Sequence, residues 1–296
     1  MKIALVYNPH AGHKRALKIL PRVEALLTSR SINFDLHLTD YPEHAVEIVK
    51  NLDFKSLDGL AAAGGDGILF EVINGYYQNP SKKRIPLGIL PVGTGNAFAR
   101  DLDLDNTRLE AAVDILAGGK TRRVDVGRFT THGQEYHYLN ILGLGFVADV
   151  TQTAMKLKVL GNIAYTLGVL YRTVFLKTHH LTIEIDGKTM ERDNLFVEIS
   201  NSRYTADFLM APNAKIDDGY LDVTLCNQIT RRKLLKTFPK IFTGEHIHAE
   251  EIEQFQARSI KVKTDIPKVL TPDGELLGIT PIEVDCLEKD IEVFWQ

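Results

Sequence analysis

Two glycine-rich loops carry the residue types best suited to grip phosphate. Gly64-Gly65-Asp66-Gly67 ends a run of small apolar residues and precedes a helical pattern that resumes at Glu71. Pro91-Val92-Gly93-Thr94-Gly95-Asn96 follows Leu87 to Leu90 and precedes a second helical pattern. Glycine, lacking Cβ, lets backbone N–H groups close around phosphate oxygens, and a helix start adds partial positive charge. Thr94 and Asn96 would add a hydroxyl and an amide to those donors. Either loop alone reads equally well as a tight turn, with Asn96 as a helix cap. The pair together points to a polyphosphate. Two acidic segments lie later in the chain. Asp273-Gly274-Glu275 by itself is hairpin-turn chemistry, and Asp217, Asp218 and Asp222, with Gly219 among them, by themselves form a solvated acidic turn.

The loops need rigid elements to position them, and the first half of the chain supplies an alternation. Ile3 to Tyr7, Asn33 to Leu38, Gly59 to Ala63 and Leu87 to Leu90 read as strands. His13 to Leu27, Glu43 to Leu52, Ile68 to Tyr77 and Asn96 to Leu102 read as helices between them. This pattern predicts a layered α/β domain over 1–124 with a mostly parallel sheet, and glycine loops at the carboxyl ends of strands, where ligands of such sheets bind. From Val124 onward β-rich segments dominate: Val124 to Phe129, Tyr136 to Ile141, Leu181 to Ile185, Leu195 to Ser200, Leu221 to Leu225 and Ile260 to Val262. Asp186-Gly187 and Asp273-Gly274 provide hairpin turns, and helical stretches interrupt at Ala148 to Lys177 and Arg231 to Gly244. A second, mainly antiparallel β-rich domain is expected over 125–285, with 286–296 returning to the first domain.

A chain of 296 residues with 44% hydrophobic and 25% charged residues can bury a sizeable core. Its net charge of −3 gives no support for nucleic-acid binding. Cys226 and Cys286 lack metal-ligand spacing and suit a reducing cytosol. No apolar run reaches the roughly 20 residues that span a bilayer; Gly161 to Leu176 comes nearest and is broken by Asn162 and Arg172. His179-His180, and His246 with His248, show no ligand spacing and read as surface residues.

In order along the chain, Asn8-Pro9-His10-Ala11-Gly12, Gly64-Gly65-Asp66-Gly67 with Glu71 to Gly75, Pro91 to Arg100, Ala211-Pro212-Asn213-Ala214 running into Asp217 to Val223, and Asp273-Gly274-Glu275 resemble the motifs of the diacylglycerol kinase catalytic family. That family includes bacterial soluble lipid kinases and is related to sphingosine and ceramide kinases. The resemblance implies an ATP- and Mg²⁺-dependent lipid kinase, cytoplasmic or peripheral on a membrane, acting in lipid metabolism on a diacylglycerol-like or other amphiphilic alcohol. Its active site would lie in a cleft between the two domains, and a homodimer would be compatible with it. ATP would be held by Asn8, Pro9, Gly12, Thr39, Gly64, Gly65, Asp66, Gly67, Glu71, Gly93, Thr94, Gly95 and Asn96. Asp66 would act near the nucleotide's Mg²⁺ through water. Asp273 would take the acceptor's proton, with Glu275 orienting it or helping to bind metal. A second, structural Mg²⁺ would be held by the carbonyls of Lys215 and Tyr220 and the carboxylate of Asp218.

Three positions depart from the family pattern. Ile68 stands where a hydroxyl residue usually follows the glycines, Phe70 where a small or polar residue is common, and Ser202 to Leu209 where a glycine-rich stretch is usual. A missing hydrogen bond to a charged group costs about 1.5–3 kcal/mol, enough to slow a kinase without abolishing it. A soluble-metabolite kinase resembling NAD kinases, which share the Gly-Gly-Asp-Gly motif, and a nucleotide- or lipid-binding regulatory protein remain the alternatives. Met155 to Lys177 mixes apolar residues with Lys156, Lys158, Arg172 and Lys177, with Arg203 nearby; it reads as a core-facing helix or as a basic stretch lying on anionic headgroups.

Overall fold

Short apolar runs alternating with stretches of helical period build the first part of the chain. The computed structural model describes residues 1–12, 14–104, 107–157, 163–205 and 207–296. It divides into two units, Met1–Val124 with Lys289–Gln296, and Asp125–Glu288.

In the first unit, β1 (Lys2–Tyr7), α1 (Arg15–Ser29), β2 (Asn33–Leu38), α2 (His44–Asn51), β3 (Gly59–Gly64), α3 (Asp66–Gln78), β4 (Leu87–Pro91), α4 (Ala97–Asp101) and α5 (Leu109–Gly118) follow one another. β1 pairs in parallel with β2 on one side and β3 on the other, and β4 lies parallel beside β3. The strand order β2-β1-β3-β4 reverses direction between β1 and β3. At such a reversal the loops leaving the two carboxyl ends run to opposite faces and open a crevice, the usual ligand position in this kind of sheet. β1 and β3 are buried almost throughout. Asn79 is buried because its amide ties down the end of α2, donating to the carbonyls of Val49, Lys50 and Leu52. The helix α5 was not anticipated, although Leu109, Ala112, Val113 and Leu116, its buried residues, carry helical spacing.

The second unit continues with β5 (Thr121–Thr131, which begins in the first unit), β6 (Gln134–Tyr138), β7 (Ile141–Gly145), α6 (Phe146–Lys156), α7 (Ile163–Val174), β8 (His179–Ile185), β9 (Lys188–Ser200), β10 (Tyr204–Thr205), β11 (Phe208–Leu209), β12 (Leu221–Asn227), α8 (Arg231–Thr237), β13 (Ile252–Ala257), β14 (Ser259–Thr264), β15 (Leu270–Pro272) and β16 (Ile282–Phe294). Antiparallel pairing runs β13-β12-β9-β8-β14-β16. The second half of β9 also pairs with β7, which pairs in turn with β15. The last residues of β16 belong to the first unit, where Val293 lies parallel to Leu87 of β4. An apolar core gathers Phe146, Val150, Val169, Phe196, Phe208 and Leu234 from α6, α7, α8 and the strands β9 and β11.

The structure corrects several expectations. Tyr136 to Ile141 is two strands, because the N–H groups of Leu139, Asn140 and Ile141 turn to the carboxylate of Asp273. Arg231 to Gly244 is α-helical only to Thr237; Pro239 has no N–H to continue it, and Phe238–Phe242 forms a 3₁₀ turn. The expected helix from Ala148 to Lys177 is represented by α6 and α7, and residues 158–162 between them lie outside the described residues. His179 and His246 are buried, not surface residues. His246 Nε2 lies 3.1 Å from the Met210 carbonyl, and burial pushes His179 down to about 4. Among the described residues no helix is long and apolar enough to cross a membrane.

Candidate active site

The loops after β1, β3 and β4 meet at the carboxyl end of the parallel sheet. The N–H of Asn8 donates to the Ala63 carbonyl at 2.9 Å and its side-chain oxygen accepts from His10 N–H, which curls the Asn8–Gly12 loop. The N–H of Gly93 donates to the Gly64 carbonyl at 2.8 Å. A Cβ on Gly93 would stand 2.5 Å from the Gly65 backbone, so only glycine permits this approach. Gly12 lies against the Val92 carbonyl. Thr39 is buried at the end of β2, its N–H bonded to the Tyr7 carbonyl. Pro9 is half-buried in the first loop, and Thr94 is exposed at the tip of the third.

Asp66, the first residue of α3, bridges two of these loops. Its Oδ1 accepts from the Ala97 N–H at 2.7 Å, and its other oxygen lies against Gly95. Asn96, in the left-handed region, donates from its amide to the Gly93 carbonyl at 3.1 Å. Its Oδ1 is buried with no hydrogen-bond partner. Gly67 is the second residue of α3. Glu71 lies farther along that helix, and one of its oxygens takes the Ala45 N–H at the start of α2. Arg15, which motif reading did not single out, brings its guanidinium beside Gly12 and within 3.4 Å of the Gly93 carbonyl. Ile68 is buried, and its Cγ2 fills the space that a Cβ on Gly64 would need. Its side chain therefore packs beneath the loop.

In the second unit Asp273 and Gly274 form a turn with φ +45 and +88, as a two-residue turn with both central residues left-handed requires. The N–H of Glu275 closes it on the Pro272 carbonyl at 2.8 Å. Asp273 is buried, and its carboxylate accepts three backbone bonds: Asn140 at 3.0 Å and Ile141 at 2.9 Å on Oδ1, Leu139 at 3.2 Å on Oδ2. These bonds fix its orientation. Glu275 is half-buried beside it. Behind the turn, Asn201 donates to the carbonyls of Asp125 and Leu139, and Ser202 Oγ lies 3.1 Å from Asn140 Oδ1.

Beside the Asp273-Gly274 turn the same unit contains a narrow apolar cavity of about 100 Å³, partly open to solvent. Ile141, Thr271 and Gly274 line it near the turn, and Phe146, Phe196 and Phe208 line it farther in. Phe208 falls in the segment Ser202 to Leu209 that replaces the usual glycine-rich stretch. It packs edge-on against Tyr165, Phe238 and Phe242, with ring centroids 6.4, 5.8 and 5.2 Å away. Phe70 is buried within α3 of the other unit.

The acidic segment lies between β11 and β12. Asp218 Oδ1 accepts from the Tyr220 N–H at 3.1 Å, and the Gly219 N–H donates to Asp125 at 2.7 Å. Burial and then the Asp218 charge push Asp222 up to about 6, and Asp222 Oδ2 is buried without a partner. Lys215 is exposed, and its charge opposes that shift. Among the described residues no three or more His, Cys, Asp or Glu side chains gather as metal ligands. Two of the three ligands expected here are main-chain carbonyls, which that grouping does not include.

Comparison with known proteins extends over nearly the whole chain. Residues 2–129 match the profile of the diacylglycerol kinase catalytic domain, and residues 140–295 match a C-terminal domain described as NAD kinase β-sandwich-like. A diacylglycerol kinase of Bacillus subtilis is 30% identical over 292 residues, covering 98% of this chain and 94% of that protein. One from Staphylococcus saprophyticus is 31% identical over 294 residues, with coverage of 98% and 94%. A crystal structure of a diacylglycerol kinase from Bacillus anthracis superposes with a TM-score of 0.81 at 26% identity, covering 100% of this chain and 97% of that one. The chain belongs to the diacylglycerol kinase family of lipid kinases.

Proposed function

We propose that this protein transfers the γ-phosphoryl group of ATP to the hydroxyl of a diacylglycerol-like lipid presented at a membrane surface. The observation that carries the reading is the apolar cavity lined by Thr271 and Gly274, which flank the Asp273 turn; it suits acyl chains beside a fixed carboxylate. In the first unit, the N–H-rich loops at Gly64 to Gly67 and Gly93 to Asn96, with Asn8, Gly12 and Arg15 beside them, would hold the phosphates. Thr39 shapes the neighbouring strand end. The buried, unpartnered Asn96 Oδ1 suits a ribose hydroxyl or an ordered water.

Mg²⁺ bound with the nucleotide would supply charge neutralisation on the phosphate oxygens. Asp66, anchored by the Ala97 N–H, would reach that ion through water. At the acidic segment, Asp218 with the carbonyls of Lys215 and Tyr220 would hold a second ion. The donor set is hard oxygen, and Asp222 beside it carries an unpartnered oxygen, a surplus of negative ligands that a divalent cation relieves.

In the reaction, the acceptor oxygen bonds to the γ-phosphorus as the bond from that phosphorus to the bridging oxygen breaks and ADP leaves. The hydroxyl proton passes to Asp273. A loose transition state makes the hydroxyl acidic only as the new bond forms, so a carboxylate held by three N–H groups suffices as base. Glu275 stands beside it to orient the acceptor.

The test incubates the pure protein with labelled ATP, Mg²⁺ and a panel of lipid alcohols, with NAD alongside. Label on a lipid is expected. Label on NAD alone, or on no acceptor at all, overturns the proposal.

A further inference from the structure

Among the polar residues that line the cavity, Glu198 is a carboxylic acid that the reading so far leaves without a task. It lies on β9, opposite Gly143 of β7 and Thr224 of β12. Its neighbour two residues back, Phe196, lines the same cavity, as the strand period requires. Glu198 is 3% exposed, and its Oε2 has no hydrogen-bond partner. Gly143 makes room for Val147 and Thr271, whose Cγ2 atoms lie 2.8 and 3.0 Å from where its Cβ would stand, and Glu198 Cγ lies 3.8 Å from the same point. No lysine or arginine is among the described residues lining the cavity. Burial pushes the carboxyl up to about 8, so it holds its proton at neutral pH.

Strand register relates Glu198 to the turn at Asp273. Thr271, Gly143 and Glu198 stand side by side on β15, β7 and β9, and Asp273 follows Thr271 by two residues. Two strand spacings, about 10 Å, separate the backbones of Thr271 and Glu198. A glutamate side chain is long enough to span much of that interval. A lipid with its hydroxyl at Asp273 therefore passes its next polar atoms near Glu198. A buried O–H without a partner calls for an acceptor, and in a glycerolipid those atoms are acyl carbonyl oxygens.

We propose that Glu198 donates a hydrogen bond from its protonated carboxyl to an acyl carbonyl of the acceptor, selecting ester-linked glycerolipids over ether-linked ones. The inference rests on the cavity being the acceptor-lipid site. It is a specificity contact, distinct from the proton transfer at Asp273.

The test compares dioleoylglycerol with its dioleyl ether analogue, in mixed micelles, for the wild type, Glu198→Gln and Glu198→Leu. Phosphorylation is followed with ATP, and binding is followed without nucleotide by displacement of a fluorescent acyl probe. The wild type should prefer the ester by about 10- to 100-fold, mostly in KM. Glu198→Gln, which keeps an N–H donor, should retain most of that preference. Glu198→Leu should lose it by weakening the ester alone. Equal use of ester and ether by the wild type, or an unchanged preference in Glu198→Leu, overturns the inference. So does sphingosine binding more tightly than the ester in the wild type and losing that advantage in Glu198→Gln, because the carboxyl would then act as an anion. If neither lipid is phosphorylated yet the displacement preference follows this pattern, the kinase reading fails and the Glu198 contact stands. The wild-type comparison needs no variant to fold.

Discussion

The backbone N–H of Gly93 donates to the carbonyl of Gly64 at 2.8 Å, binding the loop after β4 directly to the end of β3. Two segments nearly thirty residues apart thus form one surface, and Asp66 secures it by taking the Ala97 N–H.

That joint leaves no room for a side chain. Gly93→Ala places a Cβ 2.5 Å from the Gly65 backbone, which cannot move aside as a flexible side chain would. We expect a loss of about 1–3 kcal/mol of stability from overpacking and at least a tenfold rise in the Kd for ATP. Thermal unfolding and calorimetric titration with nucleotide check both; wild-type ATP affinity would show that the joint does not shape the phosphate site.

Asp273→Asn keeps the side chain's shape and removes the proposed base. Turnover should fall by about 10²–10⁴-fold, the usual contribution of general-base catalysis, while ATP affinity stays nearly intact. The amide keeps one carbonyl oxygen for the N–H groups of Asn140 and Ile141 but offers Leu139 a donor instead. A stability loss of about 1 kcal/mol should accompany the change. Activity within a few-fold of the wild type, in steady-state kinetics, removes Asp273 from that role.

Ile68 departs from the hydroxyl residue that the family pattern led us to expect, and the sequence alone suggested a slower enzyme for that reason. The side chain is 5% exposed and packs against Gly64. Ile68→Thr should therefore cost about 1–2 kcal/mol by loss of a buried methyl and burial of a hydroxyl, with kcat raised no more than twofold. A tenfold gain in kcat would show that the hydroxyl reaches nucleotide or its water.

Glu198 also predicts the pH dependence of stability. Its carboxyl is raised from 4.5 to about 8, so the folded protein keeps a proton that the unfolded chain releases between those values. Stability then declines as pH rises through that window, by a few kcal/mol at most. The unfolding midpoint of Glu198→Gln, compared with wild type at pH 5 and pH 8.5, should fall less across that interval. Parallel declines in the two proteins would show that Glu198 ionises as an exposed carboxyl does.

Arg15→Ala should weaken ATP binding by about three- to tenfold without changing the unfolding midpoint by more than a degree or two, because the side chain is exposed and bonds only weakly to the Gly93 carbonyl. Unchanged ATP affinity in the same titration removes the guanidinium from the phosphate site.

Local pattern was enough to mark the strand–loop–helix units, because glycine loops between an apolar run and a helical period leave their mark in consecutive residues. The Gly64 to Gly67 and Gly93 to Asn96 loops, the Asp273-Gly274 turn and the alternation that yields a parallel sheet were legible in this way. The break between β6 and β7 was not, since it depends on a carboxylate more than 130 residues away in sequence. His246 was misread for a similar reason: its partner is the Met210 carbonyl, 36 residues away in sequence.

The sequence by itself determined where the backbone must turn and where two segments can approach closely, because φ > 0 and the lack of a Cβ are properties of single residues. Only the tertiary structure decided which way the side chains of Ile68 and Glu198 face and that Arg15 lies beside Gly93. Those outcomes depend on register and helix rotation against distant neighbours. A shift of one residue in β9 would turn Glu198 to the opposite face of its sheet, and no motif in the chain records that choice.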